Sequence, residues 1–566
     1  VILLRNNESH FSNVPRAEIQ RSRFDRSNRL LTTFNTGELI PIYCDEVLPG
    51  DTVTMDVSSL VRMSTPIFPT MDSAFMDTYF FFVPNRLVWE HWKDFNGENN
   101  STYWTQPTEY NVPQITAPAN GGWNKGSLAD YFGLPTEVTN ISVSHLPFRA
   151  YTLIWNEWFR DQNYMSPADF VKTDADVVGR RRDYGNGTEG NIPYLSALYG
   201  GGVLPVSKYH DYFTSVLPSP QKGEAVEIPM FSGDLPVTSS AQRHDNLSGA
   251  ALHWTANDGF NITVANSMQM SSDGYMTPIP DNSASGASLS KGVYPDNLWV
   301  RLSNVDLGTI NVLRQAFQIQ KLFEKDARGG TRYTEILQAH FGVQSPDSRL
   351  QRPEYLGGKR VPINIDQVLQ TSSTNETSPQ GNTAAFSLTT DVDSAFTKSF
   401  VEHGYIIGLA AVRTDHTYQQ GIQRHWSRKR RFDYYWPTLA HIGEQAVLKK
   451  EILATGTEYD EEAFGYQEAW AEYRYKPSYV TGAFRSNYSG SLDSWHYADY
   501  FIPDELSGTA GFVADAEFMR ETMVNVDRTL AVQSDMEDQF LGNFYFKAIW
   551  TRPMPMYSVP GLIDHY

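Results

Sequence analysis

Turn-forming residues interrupt this chain so often that no apolar run outlasts a single strand. Its 566 residues include 40 glycines and 31 prolines, and the longest clean apolar stretch is Tyr405–Val412. A transmembrane helix needs about 20 apolar residues, so none is expected. Frequent Gly and Pro suit many short strands joined by loops. The runs between them are β-prone. Leu39–Leu48 and Thr52–Val61 flank the turn sequence Pro49-Gly50-Asp51. Ala74–Val83 reads AFMDTYFFFV and stops at Pro84, and Gly542–Trp550 is a further strand. Aromatic residues make up 13% of the chain, which fits half-buried strands and interfaces.

Helical periodicity is confined to a few places. Asn85–Phe95 reads as one helix with Val88, Trp92 and Phe95 on a face. Phe148–Asn163 carries Phe148, Tyr151, Ile154, Trp155, Trp158 and Phe159 at the 3.6 period, with Pro147 in its first turn. A helical pair spans Ile310–Phe341 and breaks at Gly329-Gly330. Thr331 is placed to cap the second helix and Gly342 to end it.

Two segments stand apart. Residues 1–34 hold Arg5, Arg16, Arg21, Arg23, Arg26 and Arg29 against Glu8, Glu18 and Asp25, without a sustained apolar period. They read as a basic, extended or mobile arm. Residues 225–297 are rich in Ser, Gly, Asn, Thr and Asp yet keep Trp254, Phe260 and Tyr275. Linkers rarely carry such rings, so a projecting insertion is expected. The remainder, 35–566, is expected to form the main domain.

The formal charge of −19 argues against a protein that grips nucleic acid over its whole surface, which needs clustered Lys and Arg. Local patches remain. Arg428, Lys429, Arg430 and Arg431 sit between Trp426 and Phe432, Tyr434, Tyr435 and Trp436. Cations for phosphate and rings for bases are what single-stranded nucleic acid takes. A subunit interface fits the same residues equally well. Arg180, Arg181 and Arg182 lack flanking rings upstream, and a structural role suits them better.

Catalytic signatures are missing. There is no nucleophile elbow, phosphate loop, dinucleotide fingerprint or metalloprotease helix, so no catalytic residue, metal ligand or cofactor is assigned. His416 and His425 have no third ligand at metal spacing. Glu90, Glu157 and Glu468 lie beside tryptophans, which keeps open a β-rich carbohydrate-binding protein or glycoside hydrolase using paired carboxylates. The single cysteine, Cys44, excludes an intrachain disulfide. It is expected to be a small buried hydrophobe.

Long, ordered segments resemble the major capsid proteins of microviruses, gokushovirus branch. They are Phe34–Asn99, Leu146–Asn163, Lys208–Gly223, Glu324–Gly358, Arg431–Gln445 and Phe464–Arg485. The resemblance implies a mainly β protein: an eight-stranded jelly roll with long loop insertions and several short helices. It implies a non-enzymatic structural protein of the virion, assembled in the bacterial host cytoplasm. About sixty copies would close a T=1 icosahedral shell around circular single-stranded DNA. The implied partners are a small basic DNA-binding protein, an internal scaffolding protein, a minor pilot protein and a host surface receptor. The insertion falls where the branch carries a host-facing protrusion. Ser232, Asp234, Arg243, His244, Trp254, Asp258, Phe260 and Tyr275 are its candidate residues. The candidate DNA contacts are Arg5, Arg16, Arg21, Arg23, Arg26, Arg29, Arg428, Lys429, Arg430 and Arg431.

Overall fold

The computed structural model describes residues 20–98, 108–182, 197–224, 310–372, 379–502 and 513–557, positions 226, 374 and 376, and the backbone of six three-residue strands between 237 and 300. The chain divides into two compact units, 1–222 with 324–566, and 223–323.

Two antiparallel sheets build the larger unit. The first contains β1 (Ser22–Asp25), β2 (Asn28–Phe34), β4 (Thr52–Met63), β7 (Thr389–Ser399) and β11 (Phe540–Arg552). β1 and β2 pair with successive stretches of β11, then β4 and β7 follow. The second sheet runs β6 (Glu354–Pro362), β5 (Ala74–Pro84), β8 (Gly404–Thr414), β3 (Ile40–Val47). Apart from β1 with β2 and β5 with β6, which share a sheet, strands consecutive in the roll alternate between sheets, the jelly-roll arrangement. Among the described residues nine strands fill it where eight were expected, because β1 and β2 share one strand position.

Sequence pattern explains each sheet. In β4, Val53, Met55, Val57 and Val61 alternate inward against outward Thr52, Thr54, Asp56 and Ser58. That strand covers one core. β5 and β8 read as continuous apolar runs because both their faces are buried. Met76, Phe80 and Phe82 face the space between the sheets, with Phe34, Phe396, Phe544 and Trp550. Phe81, Val83, Ile407 and Leu409 face a second core.

The second core is capped by α1 (Leu146–Ile154), which continues as a π-helical turn over Trp155–Phe159. Tyr151 and Trp155 are fully buried, and their polar tips bond Leu39 O and Pro205 O, both at 2.7 Å. The expected helical pair is α2 (Ile310–Gly329) and α3 (Tyr333–Phe341), and Gly342 ends α3 with φ +68°.

Three expectations are corrected. Asn85–Phe95 is two short helices, 85–88 and 92–95, because Trp89 turns extended and buries its indole to bond Asp174. Thr331 does not cap α3. Arg332 holds that position, and Thr331 bonds Gln162. Cys44 is exposed: the register of β3 shifts at Ile42, so Tyr43 joins Ile40 and Ile42 in the inter-sheet core, its ring 5.1 Å from Phe546, and Cys44 falls opposite Ile407 on the other face. Of the arm's two readings, extended or mobile, residues 22–34 take the extended one, pairing with β11.

Candidate functional site

The segment 424–436 is a series of tight 3-10 turns, too short to bury its own rings. Arg428 turns inward, bonding Glu472 at 2.9 Å with its guanidinium 4.4 Å from the Tyr473 ring. Lys429, Arg430 and Arg431 stay exposed. The Lys429 and Arg430 backbone N–H groups donate to Asp433 at 2.8 and 2.7 Å, holding its carboxyl below the usual range. Arg431 lies over the Trp436 ring, 4.6 Å from its centre. Trp426 is 76% exposed and Phe432 71%. Tyr434, Tyr435 and Trp436 are also open to solvent, as are Tyr473, Tyr475 and Tyr479 nearby in sequence to Glu472. So much bare aromatic surface marks a contact region.

The other candidate cations separate by role. Arg21 bonds Thr52 Oγ1 at 2.7 Å. Arg26 pairs with Asp45 at 2.9 Å and lies over Trp550. Arg23 and Arg29 are exposed. Their register opposite Thr551 and Tyr545 puts them on the solvent face of the first sheet, with Arg62 and Lys547. Arg5 and Arg16 lie outside the described residues. Arg180, Arg181 and Arg182 are structural: one stacks on Tyr199, one pairs with Glu137, one with buried Glu38.

Of the insertion candidates, Ser232, Asp234, Arg243, His244, Asp258, Phe260 and Tyr275 lie outside the described residues. The backbone of Trp254 pairs with Pro295.

Sequence reasoning missed a buried charge cluster. His416 stands between Asp499 (Nδ1 to Oδ2, 2.9 Å) and Glu521 (Nε2 to Oε2, 3.0 Å). Lys208 Nζ reaches Asp499 at 3.4 Å, and Asn525 donates to it at 2.6 Å. Burial opposes the imidazolium, but the two carboxylates outweigh it and push His416 up to about 10. Burial raises Asp499 less than Lys208 and His416 lower it, so it stays well below the ordinary carboxylate range. No spacing rule joins positions 208, 416, 499 and 521. A buried, fully paired cluster of this kind orients loops rather than performing chemistry. His425 is not part of it; it is exposed, with its ring tilted against Trp426 and the centroids 4.9 Å apart.

A cavity of about 820 Å³ lies outside the second sheet, lined by Tyr79, Trp158, Arg160, Arg332, Arg360 and Arg413 among others. Its carboxylates are Asp161 and Glu335, and Glu335 is bonded to Arg332. Glu90, Glu157 and Glu468 do not line it, and Glu468 pairs with Arg474. The paired-carboxylate reading finds no support there. No helix among the described residues is long and apolar enough to cross a membrane.

Comparison with known proteins matches residues 12–562 to the family described as capsid protein (F protein). The capsid protein VP1 of Chlamydia phage 1 is 42% identical, with 98% of each chain covered. VP1 of Bdellovibrio phage phiMH2K is 41% identical over 99% of each, and VP1 of Spiroplasma virus 4 is 43% identical over 96% of each.

Proposed function

Since the chain belongs to the capsid protein (F protein) family, we propose that it closes a small T=1 icosahedral shell of about sixty copies around circular single-stranded DNA. A capsid protein assembles with its own copies and is a structural component of the virion, not an enzyme. The observation that carries the finer reading is the two-sheet jelly roll together with similarity along nearly the whole length of each relative. A jelly roll supplies a rigid tile, and its insertions supply contacts the sheets cannot make.

The genome side is the solvent face of the first sheet. Arg23, Arg29 and Arg62 share that face with Thr52, Thr54 and Ser58, and with Lys547, which pairs with Asp56 at 3.6 Å; its cations and hydroxyls suit phosphate. With −19 on each subunit, most neutralising charge comes from a separate small basic DNA-binding protein. An internal scaffolding protein and a minor pilot protein complete the assembly. Residues 225–297 meet the receptor on the bacterial host.

Electron microscopy of the chain co-expressed with the other structural proteins of its phage tests this. Small icosahedral particles with nuclease-protected single-stranded DNA are expected. Stable monomers in the presence of every assembly partner would overturn it.

A further inference from the structure

β9 (Glu444–Leu448) and β10 (Ala463–Glu468) form an antiparallel hairpin with a basic segment lying against one end and an acidic turn at the other. The segment 428–439 lies against the end where Glu444 faces Glu468. There Tyr435 packs on Trp470 and Tyr473 at 5.7 and 6.1 Å, and Trp470 donates to Leu439 O at 2.9 Å. This end presents Lys429, Arg430 and Arg431 among exposed Trp426, Phe432 and Trp436. At the other end the connecting turn carries Glu458, Asp460, Glu461 and Glu462. Lys449 and Lys450 pair with Glu462 and Glu461, both at 2.6 Å. The lysine side chains are only 7% and 12% exposed, the glutamates 52% and 66%. The cations lie beneath and the carboxylates face outward. Strands of this length hold the two ends roughly 17 Å apart.

We propose that the basic, aromatic end of this hairpin docks onto the acidic turn of a second copy of the chain. The inference rests on the capsid reading, in which copies must meet. A surface whose two ends are complementary, and not each self-complementary, makes a head-to-tail contact, and such contacts close into rings when the rotation fits. The rings supply the buried anchor area and the charges fix orientation. Between copies of an acidic chain, a local basic patch is what overcomes general repulsion.

Nucleic acid fits this end less well. Arg428 is committed to Glu472, Asp433 places a carboxylate inside the cluster, and Arg431 covers one face of Trp436 against a stacking base.

Full-length chain co-expressed with its phage partners tests the contact. Charge reversal by Lys429→Glu with Arg430→Glu, or by Glu458→Lys with Glu461→Lys, is expected to lower particle yield about tenfold. Combining all four changes restores it. A second readout does not depend on those variants. In a Cys44→Ser background, Arg430→Cys with Glu458→Cys is expected to give dimers and higher ladders on mild oxidation of shells, and neither single cysteine does. Parental shells in the same experiment establish the capsid reading separately. Reversed variants that form normal yields of shells lacking DNA would assign the patch to the genome and overturn the proposal. So would shells of the double-cysteine chain that show no cross-link.

Discussion

His416 and Asp499 meet at 2.9 Å with both side chains almost wholly buried. One comes from the loop after β8, the other from a segment 83 residues later. Between them, with Glu521, Lys208 and Asn525, they tie three distant stretches of chain to the C-terminal end of β8. Removing one partner of such a cluster leaves a buried charge uncompensated.

His416→Leu therefore strands Asp499 and Glu521 with Lys208 as the remaining cation. The expected loss is about 3–5 kcal/mol of stability. Denaturant unfolding of the purified chain measures it.

The same pair sets a pH dependence. His416 is raised from 6.5 to about 10 in the folded chain. Its stabilisation is complete below about pH 6.5 and is lost as pH rises through 10. Asp499 is depressed below its ordinary 3.8, so its contribution is present above that value and is lost as pH falls through the folded one. Melting temperature is expected to decline from pH 7 to pH 10 in the parent. His416→Gln should flatten that alkaline limb, and an unchanged limb would count against the cluster.

Gly37 tests the same region through the backbone. It links β2 to β3 at φ +82°, and an added Cβ would lie 2.4 Å from Glu521 O. Both conformation and space exclude a side chain. Gly37→Ala is expected to cost about 1–3 kcal/mol, seen as a lower unfolding midpoint. A neutral outcome would show that Glu521 can shift.

Two neighbouring arginines should behave differently. Arg182 pairs with Glu38, and both are nearly buried, whereas Arg181 meets Glu137 at the surface. Arg182→Met is expected to destabilise by about 3–5 kcal/mol. Arg181→Met is expected to cost at most about 1 kcal/mol. Thermal unfolding of the two variants side by side distinguishes them, and equal effects would contradict the burial argument.

Local patterns set out much of the fold. Alternation along Thr52–Val61 gave a strand covering one core, and the unbroken apolar run of Ala74–Val83 gave a strand buried on both faces. The break at Gly329-Gly330 and the stop at Gly342 fell where helices end. These features are legible because the strand period of two and the helix period of 3.6 are properties of neighbouring residues. The jelly-roll class and the family came from the resemblance of long ordered segments to microvirus capsid proteins, and not from these periodicities.

Tertiary structure alone decided which side chains are free to act. The basic arm became paired strands because its partner, Phe540–Arg552, lies some 500 residues away in sequence. Of the four cations at 428–431, Glu472 claimed Arg428 and left the other three at the surface, a choice no reading of that segment could make. His416 looked like an isolated histidine until Asp499 and Glu521 closed around it. The sequence by itself determined the strands, turns and lineage. The fold determined burial and charge pairing, because both depend on surfaces contributed by segments remote in the chain.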